Sequence, residues 1–150
     1  MLRILPYTPD HQESIDQMMR EIAAEFAQPI SDPAYRSAPP DIYWVAMQEN
    51  ELAGTVALTL EKEYGVLKKM MLNKPFRGSA HGVSELLLQT AIDRCRELPL
   101  PALYLGTMEQ MKAAHRFYEK NGFERITLQD LPAGFQRNPV DDVFYRILLI

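Results

Sequence analysis

An apolar run, Gly65 to Leu72, passes through the polar corner Asn73-Lys74-Pro75 into Arg77-Gly78-Ser79-Ala80-His81-Gly82, and a helical pattern opens at once at Val83. A strand, a turn of small residues and a helix in direct succession restrict the chain to folds in which a helix packs back onto a sheet. Val83, Leu86, Leu87, Thr90, Ala91, Arg94 and Cys95 fall on one helical stripe, and the apolar run Ala102 to Gly106 supplies the next strand. The resulting strand-helix-strand unit, Gly65 to Gly106, calls for a parallel strand pair, because the helix returns the chain to the same edge. The turn itself is an anion cradle. Free backbone N–H groups and the positive end of the helix dipole meet there, and Gly78, Ser79, Ala80 and Gly82 are small enough to let a pyrophosphate approach. Arg77 can add a charge, and Leu86 and Leu87 are expected to anchor the helix. A tight connection that needs glycine for its own geometry would look the same in this segment.

The elements around this unit complete a mixed α+β pattern. Leu2 to Leu5 reads as a strand, and Thr8-Pro9 as the cap and first residue of a helix whose face is Ile15, Met18, Met19, Ile22, Ala23 and Phe26, stopped by Pro29. A proline-rich loop, Pro29 to Pro40, precedes two strands, Ile42 to Met47 and Leu52 to Leu60, which form a hairpin about Gln48-Glu49-Asn50-Glu51. Thr107 and Gln110 have capping-box spacing ahead of a helix carrying Ala114, Phe117 and Tyr118, which Asn121-Gly122 terminates. Phe123 to Leu128 and Val143 to Ile150 are the last strands, joined by the loop Gln129 to Asp142. The pattern predicts one α/β (mixed α+β) domain over residues 1–150, with a mostly antiparallel sheet and helices on both faces.

Composition excludes several functions. Sixteen Lys+Arg against 20 Asp+Glu leave a formal charge of −4, so no basic field holds a polyanion, and nucleic acid is not an expected partner. No stretch approaches the roughly 18 apolar residues of a membrane helix, and no signal peptide is evident, so a soluble, cytoplasmic protein without a membrane partner is expected. The single cysteine, Cys95, forms no internal disulfide and reads as a small core residue. No Cys/His cluster has metal-site spacing, and no metal is expected.

Two segments carry a family resemblance. Leu72 to Gly82 resembles the acetyl-CoA motif of the GNAT N-acetyltransferases, Q/R-x-x-G-x-G/A, and Ala114-His115-Arg116-Phe117-Tyr118-Glu119-Lys120-Asn121-Gly122-Phe123 is similar to their second signature, A-x-x-F-Y-x-K-x-G-F. The resemblance implies a sheet of six to seven strands that holds acetyl-CoA as co-substrate in a V between two parallel strands, and direct acetyl transfer to a primary amine of a small molecule or peptide. It implies that the strand end Met70, Met71 and Leu72 binds the pantetheine arm and acetyl carbonyl. Arg77, Gly78, Ser79, Ala80, His81, Gly82 and Val83 would hold the pyrophosphate, mostly through backbone N–H groups. Tyr118 aligns with the tyrosine that protonates the departing thiolate in many relatives, a role suited to a phenol that is protonated at neutral pH. The chain departs from the pattern twice: Ala80 replaces a usual glycine, and Met111 stands where many relatives have an asparagine that binds the coenzyme arm. A coenzyme-binding sensor or partner module with weak catalysis is the alternative, acetylation of a protein partner a third reading, and homodimers are common among relatives.

A base for the incoming ammonium is not evident. The strand Gly65 to Leu72 carries no carboxylate, and Glu61 and Glu63 at its preceding turn are candidates that would act through water. His81 reads as positional, and His11 and His115 as solvent-facing helix residues. Lys68 and Lys69, adjacent on the central strand, should point to opposite faces, with salt-bridged or snorkelling roles and a substrate carboxylate as the alternatives. Asp141 and Asp142 read as exposed loop acids. Tyr35, Tyr43 and Trp44 lie where acceptor specificity is usually set, core packing being the other reading for Trp44, and the Gln129 to Asp142 loop is a candidate cover for the acceptor cleft.

Overall fold

The computed structural model describes residues 1–78 and 80–150, so the expectation for Ser79 lies outside the described residues. Seven strands form one sheet: β1 (Leu2–Pro6), β2 (Ile42–Gln48), β3 (Glu51–Leu60), β4 (Gly65–Leu72), β5 (Ala102–Thr107), β6 (Glu124–Ile126) and β7 (Val143–Leu148), in the order β1-β2-β3-β4-β5-β7-β6. Every pairing is antiparallel except β4 with β5, the pair the strand-helix-strand unit requires. Alternation along β5 and β7 separates two cores. Leu103, Leu105, Val143 and Tyr145 face α2 (Val83–Glu97) and α3 (Lys112–Lys120), whereas Ala102, Tyr104 and Phe144 face the other way, under Leu131 and Phe135 of the long loop. On that second face, α1 (Gln12–Ala23) covers β2 through Ile15, Met18 and Ile22.

Three local expectations change. On α2 the buried stripe is Val83, Leu87, Leu88, Ala91, Ile92 and Cys95; Leu86 is exposed, and Thr90 and Arg94 are not part of the buried set, so Leu88 and Ile92 anchor the helix beside Leu87. The α1 helix ends at Ala23, beyond the reach of Pro29, whose ring constrains only the residues from Glu25 onward, so the proline does not itself stop it. Thr107 belongs to β5, opposite Val143, so no capping box forms with Gln110; a tight turn intervenes, Met111 N–H donating to the Met108 carbonyl at 3.0 Å, and α3 starts at Lys112.

The parallel pair is short. Only Gly65↔Leu103 and Val66↔Tyr104 are in register, and beyond them β4 leaves β5. A bulge drives the departure: between Thr55 and Ala57 of β3 the register with β4 shifts, Lys69 sits at φ 52°, and its carbonyl accepts the Thr55 hydroxyl at 2.6 Å. The extra residue bends β4, and the sheet forks.

Candidate active site

The fork opens into a cleft of about 420 Å³. Its floor is the divergent ends of β4 and β5, with Met70, Met71, Leu105 and Gly106, and Met111 and Tyr118 reach it from the α3 side. Residues of the proline-rich loop between Ile30 and Pro40, and Phe135, Asn138 and Asp141 of the second loop, line its remaining walls. Just ahead of that segment the chain is fastened: Gln28 N–H donates to Gln110 Oε1 and Gln110 Nε2 donates back to the Gln28 carbonyl, both at 3.0 Å.

Tyr118 is buried between Phe123 and Tyr145, at ring-centroid separations of 5.4 and 5.9 Å. Its side chain borders the cleft. Burial, with Asp141 nearby, pushes the phenol well above its ordinary range, so it stays protonated at physiological pH. At the other end of the fork, Gly78 (φ 103°) and Gly82 (φ 68°) shape the turn, with open space where a Cβ would stand at either. Gly82 is also the N-cap of α2, and the first helical bond is Leu86 N–H to its carbonyl, which leaves the preceding N–H groups free of helical acceptors. Val83 is buried, whereas Ala80 and His81 are exposed, His81 beside the Phe76 ring. Arg77 is already engaged: its guanidinium grips both oxygens of Glu25 at 2.6 and 2.8 Å, and its Nε donates to the Leu72 carbonyl at 3.2 Å. That grip holds the Glu25 carboxyl below the usual carboxylate range.

The polar groups of the cleft differ from expectation. Because Lys69 occupies the bulge, strand alternation fails there and both lysines line the same cleft: Lys68 half-buried, Lys69 exposed with its ammonium 5.9 Å from the Tyr43 ring centre. Burial lowers the Lys68 ammonium, and Asp141 partly restores it. Tyr43 is stacked on Tyr7 at 4.7 Å and pushed up to about 12 by burial, and it lines the cleft with Tyr35; Trp44 packs in the core. Asp141 is no exposed loop acid. It is half-buried in the cleft, lying against the backbone of Gly106, where an added Cβ would stand 2.6 Å from its Oδ2. Its carboxyl is pushed up to about 6, chiefly by burial, against the opposing pull of Lys68. Asp142 is exposed, and its carboxylate accepts Glu109 N–H at 2.9 Å. Glu61 and Glu63 are exposed and line no part of this cleft.

His115 is buried rather than solvent-facing, its Nε2 2.9 Å from the Met108 carbonyl. Its place between Met111 and Tyr118, at i, i+4 and i+7, already marked it as inward. His11 is half-buried, and its Nδ1 accepts Thr8 N–H at 3.0 Å. For Asp141 no spacing rule applies. The pairing of β7 with β5 sets Val143 opposite Thr107, and this brings the loop residues just before it to the fork.

This is the site of an acyltransferase fold, and the similarities agree. The model of the Acetyltransferase (GNAT) family matches residues 9–123. The chain is 30% identical over 129 residues to an uncharacterized N-acetyltransferase of Escherichia coli (strain K12), YjgM, covering 75% of this chain and 76% of that protein. It is likewise 30% identical over 110 residues to the N-acetylaspartate synthetase of Danio rerio, covering 70% of this chain but only 38% of that longer protein. A GNAT-family acetyltransferase from Staphylococcus aureus Mu50 superposes over the whole of both chains with a TM-score of 0.86 at 26% identity. The chain belongs to the GNAT acetyltransferase family.

Proposed function

We propose that this single domain transfers the acetyl group of acetyl-CoA directly to a primary amine of a small molecule or peptide. The carrying observation is the cleft that runs from the fork of β4 and β5 to the Tyr118 hydroxyl. The residues present suit the coenzyme. Met70, Met71 and Leu72 border the fork, while Gly78 and Gly82 leave their Cβ positions open beside the bare N-terminus of α2. Arg77, Ala80, His81 and Val83 complete the pyrophosphate turn. Acetyl-CoA brings an activated thioester. Tyr118 keeps a proton at the cleft wall for the departing sulfur, and the apolar faces of Met70, Met71, Leu105 and Met111 exclude water from the reacting atoms.

The acceptor enters from the other side, between Tyr35, Tyr43 and the lysines. The names of the zebrafish synthetase and of a structural neighbour, the N-acetylglutamate synthase of Neisseria gonorrhoeae solved with coenzyme A and N-acetyl-glutamate, refer to acidic amino acids. Lys69, exposed above Tyr43, supports an acceptor that carries a carboxylate next to its amine.

Thermal unfolding with saturating acetyl-CoA, followed by an amine panel with thiol release as readout, tests the reading. A ligand at about 100 times its Kd stabilises by roughly 2.7 kcal/mol, and Tyr118→Phe is expected to keep that shift while losing about 10²-fold in kcat. Binding without turnover of any amine would instead favour the sensor reading.

A further inference from the structure

The site as described has a proton donor for the sulfur and nothing yet to take the proton from the amine. We propose that Asp141 is that acceptor: its carboxylate, held in the cleft against Gly106 and beside Lys68, receives the proton of the incoming ammonium. The inference rests on the acetyl-transfer reading above.

The geometry is built rather than incidental. Gly106 is the β5 residue at which the fork opens, and the carboxylate occupies the space its missing side chain leaves, 2.6 Å from the Cβ position. The backbone on either side is clamped. Asp141 N–H donates to the Asn138 carbonyl at 2.9 Å and Asp142 N–H to the Thr107 carbonyl at 3.0 Å, while Asp142 caps Glu109 N–H. Among the described residues no side chain donates a hydrogen bond to the Asp141 carboxylate, so its lone pairs remain for a ligand. The charged groups around it are Lys68 from β4 and Arg137 and Asp142 from its own loop, and the neutral Tyr118 phenol faces it from α3. Lys68 keeps the carboxylate from being neutralised outright, and burial keeps it basic enough to compete for an ammonium proton.

The step balances. One proton passes from the ammonium nitrogen to an Asp141 oxygen and frees the lone pair. A C–N bond then forms at the thioester carbonyl and the C–S bond breaks. The sulfur takes its proton from Tyr118, the nitrogen's second surplus proton restores the phenol, and Asp141 gives the first proton to water.

The test compares wild type, Asp141→Asn and Asp141→Glu on the amine that wild type acetylates fastest among amino acids, polyamines and short peptides. Each protein is also titrated by ¹³C NMR of labelled aspartate and glutamate carboxyls. The expected result is a wild-type kcat/KM that rises through about pH 6, loss of about 10²-fold or more together with that limb in Asp141→Asn, and partial recovery in Asp141→Glu. The thermal shift with acetyl-CoA should be the same in all three, and the Asp141 resonance should titrate near the activity limb. Equal rates and pH profiles in wild type and Asp141→Asn would overturn the assignment alone. A wild type that binds acetyl-CoA but acetylates no amine would overturn the transfer reading, and this role with it.

Discussion

Replacing Asp141 by asparagine should make the protein more stable at neutral pH, by an amount its surroundings set. The carboxyl titrates ordinarily at 3.8 and near 6 in the folded chain, burial being the larger influence and Lys68 the opposing one. At about 1.36 kcal/mol per pKa unit the difference converts to roughly 3 kcal/mol, an order-of-magnitude figure. The direction follows from proton binding. Between the two values the folded chain holds a proton that the unfolded chain has released, so this group favours unfolding as pH rises through that window. Its penalty is complete above about pH 6 and absent below about pH 4. The pull of Lys68 is already contained in that difference, so the asparagine, which carries no charge, escapes the whole of it. A gain of about 3 kcal/mol is expected at pH 7.5, roughly 6–12 °C in Tm for a domain of this size, shrinking to a few tenths by pH 4. Urea unfolding of both proteins from pH 4 to 8 measures it. A gain that does not change with pH, or an asparagine variant less stable at pH 7.5, would refute the reasoning.

Glu25→Gln should alter stability by less than about 1 kcal/mol, since the pair with Arg77 is partly solvent-exposed, yet it should tighten acetyl-CoA about two- to tenfold by freeing the guanidinium; urea unfolding reads the first and calorimetric titration the second. Any stability that Glu25 does lend is present above the ordinary carboxylate range and lost as pH falls through its depressed value. Gly106→Ala should displace the Asp141 carboxylate and cut turnover at least tenfold with the acetyl-CoA thermal shift intact, because its new methyl lands 2.6 Å from Oδ2. Cys95 is fully buried with its thiol pushed up to about 11, so a thiol-specific disulfide reagent should modify it only at the rate of unfolding.

The parts of the fold that local pattern dictates were legible in the sequence, and so was the turn. Gly65 to Leu72, the small-residue turn and the helix from Val83 announced the parallel pair, and Asn121-Gly122 announced the end of α3, where Gly122 adopts φ 91°. What escaped was set by contacts between distant segments. The bulge at Lys69 exists because Thr55 of another strand caps its carbonyl, and without that bond the two lysines would alternate as their neighbours do. Gln110 satisfies Gln28 instead of capping α3, a pairing 82 residues apart that no local rule contains. Arg77 reads as free in a motif and is held by Glu25, while Asp141 reads as loop until the β5–β7 register carries it to the fork.

The two hydrogen bonds between Gln28 and Gln110 divide the chain after α1 into two unequal stretches. Before it, Glu25 pairs with Arg77 of the turn ahead of α2; after it, residues 30 to 40 supply one wall of the cleft. A stretch fastened at its root and returned to the sheet at Ile42 is free to diverge in length and chemistry without disturbing the machinery behind it. Changes there would reshape one wall of the cleft from the loop side, while Tyr43, Lys68 and Lys69 on the strands keep theirs.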